Sequence, residues 1–204
     1  LGNSVEATWQ RLLQGHSALD AIHHFQADRL TSQKACCITD LLPAARENRV
    51  CALTRRVLDP ITPVPPGTCV VWAGIKGDAE YIEADQNIEM PYLPEHYRQW
   101  VAERLGIGPT GFAINAACAS STVGLAVGAQ KIARGEYGSV LVCAADVVTR
   151  FAFSGFSALK AITPTVCRPF DKARDGMCIG DGAVAILLAD AETAQKHKLD
   201  RLAR

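Results

Sequence analysis

The sequence predicts an α/β protein, and three observations carry that expectation. The apolar runs Cys69 to Ala73, Phe112 to Ala117, Ser139 to Ala145 and Gly182 to Ala189 are continuous rather than alternating, the pattern of strands covered on both faces. Stretches of helical period lie between them, and strand, helix, strand in succession builds a buried, largely parallel sheet. Pro94, Gly106 and Gly135 punctuate the junctions.

In chain order, Asn3 or Ser4 opens a helix that runs to Leu13 with Val5, Trp9, Leu12 and Leu13 on one face, and Gly15 stops it. Residues 31 to 59 mix apolar pieces such as Val50 to Leu53 with charge and support no firm assignment. Pro60, Pro63, Pro65 and Pro66 exclude regular structure and read as an exposed loop feeding the strand at Cys69. Residues 75 to 93 read as irregular. Pro94 then starts a helix with Tyr97, Trp100, Val101 and Leu105 at helical spacing. After the strand from Phe112, a helix is expected over Ala119 to Ala133, and a last one over Glu192 to Leu199.

Composition narrows the function classes. At about 150 residues per domain, 204 residues suit one large domain or two small ones. Twenty-one Lys and Arg balance twenty-one Asp and Glu, which argues against nucleic acid and against an anionic membrane surface. With 49% hydrophobic and 21% charged residues the chain can bury a core. No apolar run reaches the roughly 18 residues of a membrane span. Leu1 to Gln10 has neither the basic start nor the apolar stretch of a signal peptide, so a reducing, cytoplasmic setting with free thiols is expected.

Eight cysteines stand at 36, 37, 51, 69, 118, 143, 167 and 178; none forms C-x-x-C or pairs with a suitably spaced histidine, so no metal site is expected. Cys143, inside an apolar run, reads as a small buried hydrophobe. Seven of the eight take that plain reading, and Cys118 departs from it. Ile114-Asn115-Ala116-Ala117-Cys118-Ala119-Ser120-Ser121 passes from a strand straight into a helix. A thiol at a helix N-terminus meets unpaired N–H groups and the positive end of the dipole, which favour a thiolate by about 0.3–1 kcal/mol. The helix after it is rich in Ala and Gly, carries its first charge at Lys131, and is expected to be buried with close neighbours. A hydrolase elbow fits poorly, because Ala116 and Ser120 occupy the places of its flanking glycines.

Ala117-Cys118-Ala119-Ser120-Ser121 resembles the nucleophile motif of the β-ketoacyl synthases, the condensing enzymes of fatty-acid and polyketide synthesis. Arg168-Pro169-Phe170-Asp171, Arg174-Asp175-Gly176 and Gly180-Asp181-Gly182-Ala183 resemble the family's second N-terminal signature in order and spacing. Gly108-Pro109 and Leu1-Gly2-Asn3-Ser4 also fit. The resemblance spans essentially the whole chain. It implies a thiolase-like fold, the N-terminal half of an α/β/α/β/α sandwich with a mixed sheet and a buried helix after the nucleophile. Residues 1–204 would be the synthase N-terminal domain, without its first strand and without the C-terminal half.

The same resemblance implies the chemistry. Cys118 would take an acyl group as a thioester from an acyl carrier protein, with its backbone N–H as one oxyanion donor. Malonyl-carrier protein would then be decarboxylated and its carbanion would attack that thioester, with no cofactor. Phe156 matches a residue beside the acyl pocket, with a plain core aromatic as an equal reading. Phe112, Ile114 and Asn115 match a strand that pairs across a dimer axis, in a homodimer or with a related subunit. Arg168, Pro169, Asp171, Arg174, Asp175, Gly176, Gly180 and Gly182 are expected to be structural.

The sequence also departs from the family. The two histidines that assist decarboxylation belong to H-G-T and G-H contexts in the second half, and none of His16, His23, His24, His96 and His197 has such a context. His96 and His197 read as solvated. Ala116 stands where threonine is common. Cys118 argues against the chain-length-factor subgroup, which lacks the cysteine. Trp72 to Glu80 leans toward synthases of bacterial polyene or polyketide clusters. A non-catalytic dimerisation or carrier-docking partner is the competing expectation, and a thiol sensor, suggested only by cysteine count, is a third.

Overall fold

The structure is a computed structural model that describes residues 2–41, 47–75, 77, 79 and 93–203. In chain order its elements are α1 (Val5–Leu13), β1 (Asp20–Ala21), β2 (Lys34–Ala35), α2 (Arg49–Leu58), β3 (Cys69–Ala73), α3 (Pro94–Leu105), β4 (Gly111–Ile114), α4 (Ser120–Ala133), β5 (Ser139–Asp146), α5 (Arg150–Ala158), β6 (Gly182–Ala189) and α6 (Ala191–Lys196). They divide into two compact units, one of residues 1–42, 79–86 and 147–182, the other of residues 43–78, 87–146 and 183–204.

The second unit holds the four-stranded sheet, in the order β4-β3-β5-β6. β3 pairs in parallel with both β4 and β5, with Val71 opposite Phe112 on one side and Val142 on the other. Every residue of β3 is buried, as the unbroken run Cys69 to Ala73 requires. Alternation along the strands sorts the side chains. Cys69, Val71 and Ala73 join Val140 and Val142 in one core face, against which Leu125, Ile132 and Leu188 pack. On the opposite face Trp72 stacks on Tyr97 of α3 at 4.9 Å between ring centroids. Each fully buried aliphatic residue here contributes about 1.5–3 kcal/mol.

The close approach expected of α4 is present. Its buried residues Ser120, Gly124 and Gly128 recur every four positions, so one stripe lies on the sheet. A Cβ on Gly124 would stand 3.0 Å from Val142 Cγ1 and 3.4 Å from Ala73 Cβ. Burial is confined to that stripe: Thr122, Ala126, Ala129 and Ala133 on the outer side are exposed.

Local signals set the other boundaries. Ser4 caps α1 by accepting from the Ala7 N–H. Its apolar stripe remains exposed, however, and α1 buries no residue. α3 ends where Gly106 turns left-handed at φ 63°. The strand expected over Phe112 to Ala117 stops at Ile114, because residues 115–119 are used to turn into α4. Two helices had no signature in the sequence, α2 and α5, capped by Asn48 and Thr149. The irregular stretch expected over 75–93 falls mostly outside the described residues.

The first unit has its own core. Ala35, Val148, Phe153 and Ile162 are buried together, with Ile22, Phe25, Leu30, Cys37, Phe156 and Ile179 packed around them. The short β1–β2 ribbon is antiparallel, with Asp20 opposite Ala35.

Candidate active site

The turn at Cys118 is built from its immediate neighbours. β3 and β4 lie side by side, and Gly74 N–H donates to the Ile114 carbonyl at 3.2 Å. One residue on, Asn115 Nδ2 donates to the Ile75 carbonyl at 2.9 Å, while its Oδ1 accepts from the Ala117 N–H at 3.2 Å. Ser120 then closes the turn from the helix side. Its Oγ accepts from the Ala116 N–H at 2.9 Å and donates to the Ala117 carbonyl at 2.6 Å. Held this way, Ala117 takes a positive φ of 49°. That conformation costs a residue other than glycine about 1–2 kcal/mol, and it turns the chain sharply enough to leave Cys118 exposed.

Cys118 thus stands just before Ala119, the N-cap of α4, which offers the helix no side-chain acceptor. The first-turn N–H groups beside it form the positive end of a fourteen-residue helix, where an anion is favoured. The other thiols of this unit differ. Cys51, Cys69 and Cys143 are buried, and burial alone pushes the Cys143 thiol up to about 12. Burial also raises Cys69.

Phe112, Ile114 and Asn115 lie together on and just after β4, at one edge of the sheet. Phe112 and Ile114 are half-buried against the core, with the Lys131 ammonium 5.5 Å from the Phe112 ring centroid. Among the described residues β4 pairs with β3 alone. The turn before it is anchored by Arg98, a buried cation of α3 whose Nη1 donates to the Pro109 carbonyl.

The second signature is gathered in the first unit around two carboxylates. Asp175 accepts from Thr163 at 2.6 Å and Thr165 at 3.1 Å, with Arg168 at 3.4 Å. The Thr163 hydroxyl above all, then Thr165 and the Arg168 charge, hold its carboxyl below the ordinary range. Asp171 accepts from the Ala173 N–H at 2.7 Å, and Arg174 donates to the Asp171 carbonyl at 2.9 Å. Gly176 sits at φ 149°, where an added Cβ would lie 2.5 Å from the Thr163 nitrogen. A Cβ on Gly180 would meet Cys36 at 2.8 Å. Pro169 and Phe170 form the exposed tip, and Gly182 opens β6.

Asp181 is the member of this cluster whose role the sequence conceals. Its two oxygens accept from the Ile38 N–H at 2.7 Å and the Val148 N–H at 2.6 Å, joining segments far apart in the chain. Only its place between two glycines of the signature could have drawn attention to it. Phe156, on α5, is half-buried at the margin of the cluster formed by Ala35, Val148, Phe153 and Ile162. His96, expected to be solvated, is half-buried, and its Nδ1 accepts from the Leu93 N–H at 3.1 Å to close the start of α3. His197 is exposed, as expected.

This architecture is the thiolase-like fold of condensing enzymes. It is similar to the ishigamide ketosynthase/chain length factor, with a TM-score of 0.80 and 23% identity over 97% of this chain and 57% of that one. It is also similar to a β-ketoacyl synthase from Burkholderia phymatum, with a TM-score of 0.78 and 19% identity over 97% of this chain and 58% of that one. The family model of the β-ketoacyl synthase N-terminal domain matches residues 76–194, more than half of the chain and inclusive of Cys118 and both signatures. The chain belongs to the β-ketoacyl synthase family.

Curated relatives agree. The 3-oxoacyl-[acyl-carrier-protein] synthase 2 of Staphylococcus aureus is 26% identical over 96% of this chain and 57% of its own length. The non-reducing polyketide synthase afvB of Aspergillus flavus is 29% identical over 62% of this chain and 8% of its own length. The chain therefore spans little more than half of the staphylococcal enzyme.

Proposed function

We propose that this chain is the nucleophile-bearing half of a decarboxylating condensing enzyme, and that Cys118 is its acyl acceptor. The observation that supports this most directly is the exposed thiol on a sharp strand-to-helix turn, within the segment Ala117 to Ser121 that resembles the family's nucleophile motif. The Cys118 thiolate attacks the carbonyl of an acyl thioester carried by an acyl carrier protein. The carrier's thiolate leaves, and the acyl group remains as a thioester on Cys118. The Cys118 N–H is one donor to the transient oxyanion. A malonyl-carrier protein then loses carbon dioxide, and its carbanion attacks the acyl carbonyl, regenerating the Cys118 thiolate and releasing a β-ketoacyl product. Covalent capture divides one difficult carbon–carbon bond formation into two easier steps.

In this reading Phe156 borders the acyl chain, and the edge strand carrying Phe112 and Ile114, with Asn115, meets a second synthase subunit. The decarboxylation histidines and the second oxyanion donor come from the other half of the synthase, working in the cytoplasm on fatty-acid or polyketide intermediates. The test is made in the complete gene product. Cys118→Ala should abolish condensation and remove the acyl mass increment seen with an acyl donor; undiminished condensation would sink the assignment.

A second reading is a carrier-docking or dimerisation partner without catalysis, motivated by five histidines of which none lies in a decarboxylation motif. Binding of acyl carrier protein with no acylation of Cys118 would favour it.

A further inference from the structure

Five amide N–H groups lie in the turn from Ala116 to Ser120, and four of them are taken. Ala116 N–H donates to Ser120 Oγ at 2.9 Å and Ala117 N–H to Asn115 Oδ1 at 3.2 Å. Ala119 N–H donates to the Ala116 carbonyl and Ser120 N–H to the Ala117 carbonyl, both at 3.1 Å. The Cys118 N–H alone has no acceptor among the described residues. Its peptide unit is loaded from the other end. The Ala117 carbonyl, joined to that N–H in one planar amide, accepts from Ser120 twice, from the N–H at 3.1 Å and from Oγ at 2.6 Å. Ser120 is 4% exposed, so water competes little for the bonds its hydroxyl makes.

We propose that Ser120 is a positioning residue for acyl transfer, aiming and polarising the Cys118 N–H as an oxyanion donor through the Ala117 carbonyl. The role rests on the reading of Cys118 as acyl acceptor. Hydrogen bonds accepted at the carbonyl oxygen draw electron density from the nitrogen of the same amide and strengthen its N–H as a donor, by about 10–30% per bond. As the Cys118 thiolate adds to an acyl thioester, the carbonyl π electrons move onto oxygen and the oxyanion accepts from this N–H. Its collapse expels the departing thiolate and leaves the acyl group on sulfur. One oxyanion donor is worth about 10²–10³ in rate, so losing 10–30% of its strength on that logarithmic scale costs roughly two- to eightfold. Alkylation of the same thiol differs. It is a displacement at saturated carbon that needs the same thiolate but forms no oxyanion, so the Ser120 bond to the Ala117 carbonyl does not assist it.

The test uses the complete gene product, with an acyl N-acetylcysteamine thioester for acylation and iodoacetamide for alkylation. Both rates are followed at Cys118 by mass spectrometry of its tryptic peptide. Their ratio, acylation over alkylation, cancels any change in thiolate content or access. Ser120→Ala should lower the ratio roughly two- to eightfold, and Ser120→Thr, which keeps the hydroxyl, should restore it. Asn115→Ala loosens the same turn through the neighbouring amide without touching the Ala117 carbonyl, and should lower both rates in step. A ratio unchanged in Ser120→Ala, or lowered as far in Asn115→Ala or Ser120→Thr, would overturn the proposal. If the parent takes no acyl group on Cys118 while iodoacetamide modifies it, the acyl-acceptor reading fails and this role with it. An acylated parent whose ratio Ser120→Ala does not move removes the role of Ser120 alone.

Discussion

Ser120 and Ala117 are joined by a hydrogen bond of 2.6 Å from the serine Oγ to the alanine carbonyl, and the same oxygen accepts from the Ala116 N–H. The first helical residue thereby holds the 115–116 and 117–118 peptide units, while the one between them is held through the Ala117 N–H by Asn115. Ser120→Ala leaves a backbone donor and a backbone acceptor without this partner, at a cost of about 1–2 kcal/mol. A displaced nucleophile should also acylate at least about tenfold more slowly. Urea denaturation and timed intact-mass analysis with an acyl donor read the two effects. Unchanged acylation would show that the turn keeps its shape without the serine.

Glycines of α4 and α5 should respond in opposite directions to the same substitution. At Gly124 a methyl group meets Val142 at 3.0 Å, and crowding of about 1–3 kcal/mol outweighs a helix-propensity gain of about 1 kcal/mol. At Gly155 nothing lies within 4 Å and φ is not positive, so only the gain remains. Gly124→Ala should lower the denaturation midpoint and Gly155→Ala should raise it. The same sign for both would contradict the packing of α4 on the sheet.

Asp181 tests whether the second signature is structural. Each of its charge-assisted bonds, to Ile38 and Val148, is worth about 1.5–3 kcal/mol. Asp181→Ala strands both N–H groups and should cost about 3 kcal/mol, with enhanced amide exchange at Ile38 and Val148. Asp181→Asn keeps one acceptor and should fall between that variant and the parent.

These cases show which parts of the molecule a linear reading reaches. β3 and β5 were legible because a central strand buried on both faces must be continuously apolar; β6 is as apolar in sequence, yet it lies at the sheet edge with Gly182, Val184 and Ile186 exposed. The Cys118 turn was legible because its partners, Asn115 and Ser120, lie within five residues. α2 was hidden because Arg49, Arg55 and Arg56 interrupt its apolar residues, although Val50, Cys51, Ala52, Leu53 and Leu58 are buried. Asp181 was hidden because its partners are 143 and 33 residues away, and no local pattern encodes such a bond.

The Asp175 clasp predicts a pH dependence with a definite sign. Its carboxyl is held below the ordinary value, first by the Thr163 hydroxyl, so the unfolded chain binds the proton more readily than the native one. Its contribution is complete above the unfolded value of about 3.9 and is lost as pH falls through the lower folded value. Thermal midpoints should therefore fall less between pH 6 and pH 3 in Asp175→Asn than in the parent. A carboxyl shift followed by NMR should titrate below the ordinary range; titration at or above it would show that the clasp does not form.

Thiol reactivity ranks the cysteines by position rather than by number. Cys118 and Cys167 are exposed, whereas Cys143 is sealed in β5 with its thiol pushed up to about 12 by burial. At pH 8 roughly one Cys143 in ten thousand would be ionised even with full access, and the thiolate is the reacting form. Brief alkylation of the native chain should therefore modify Cys118 and Cys167 first and leave Cys143 untouched, as mapped by tryptic digestion. Raising the pH should not expose Cys143 until the sheet itself opens, so its modification should coincide with loss of the far-ultraviolet circular dichroism signal. Labelling of Cys143 in step with Cys118 in the folded chain would mean that the face of β5 opposite Val140 and Val142 is not covered, against the full burial of Leu141 and Cys143.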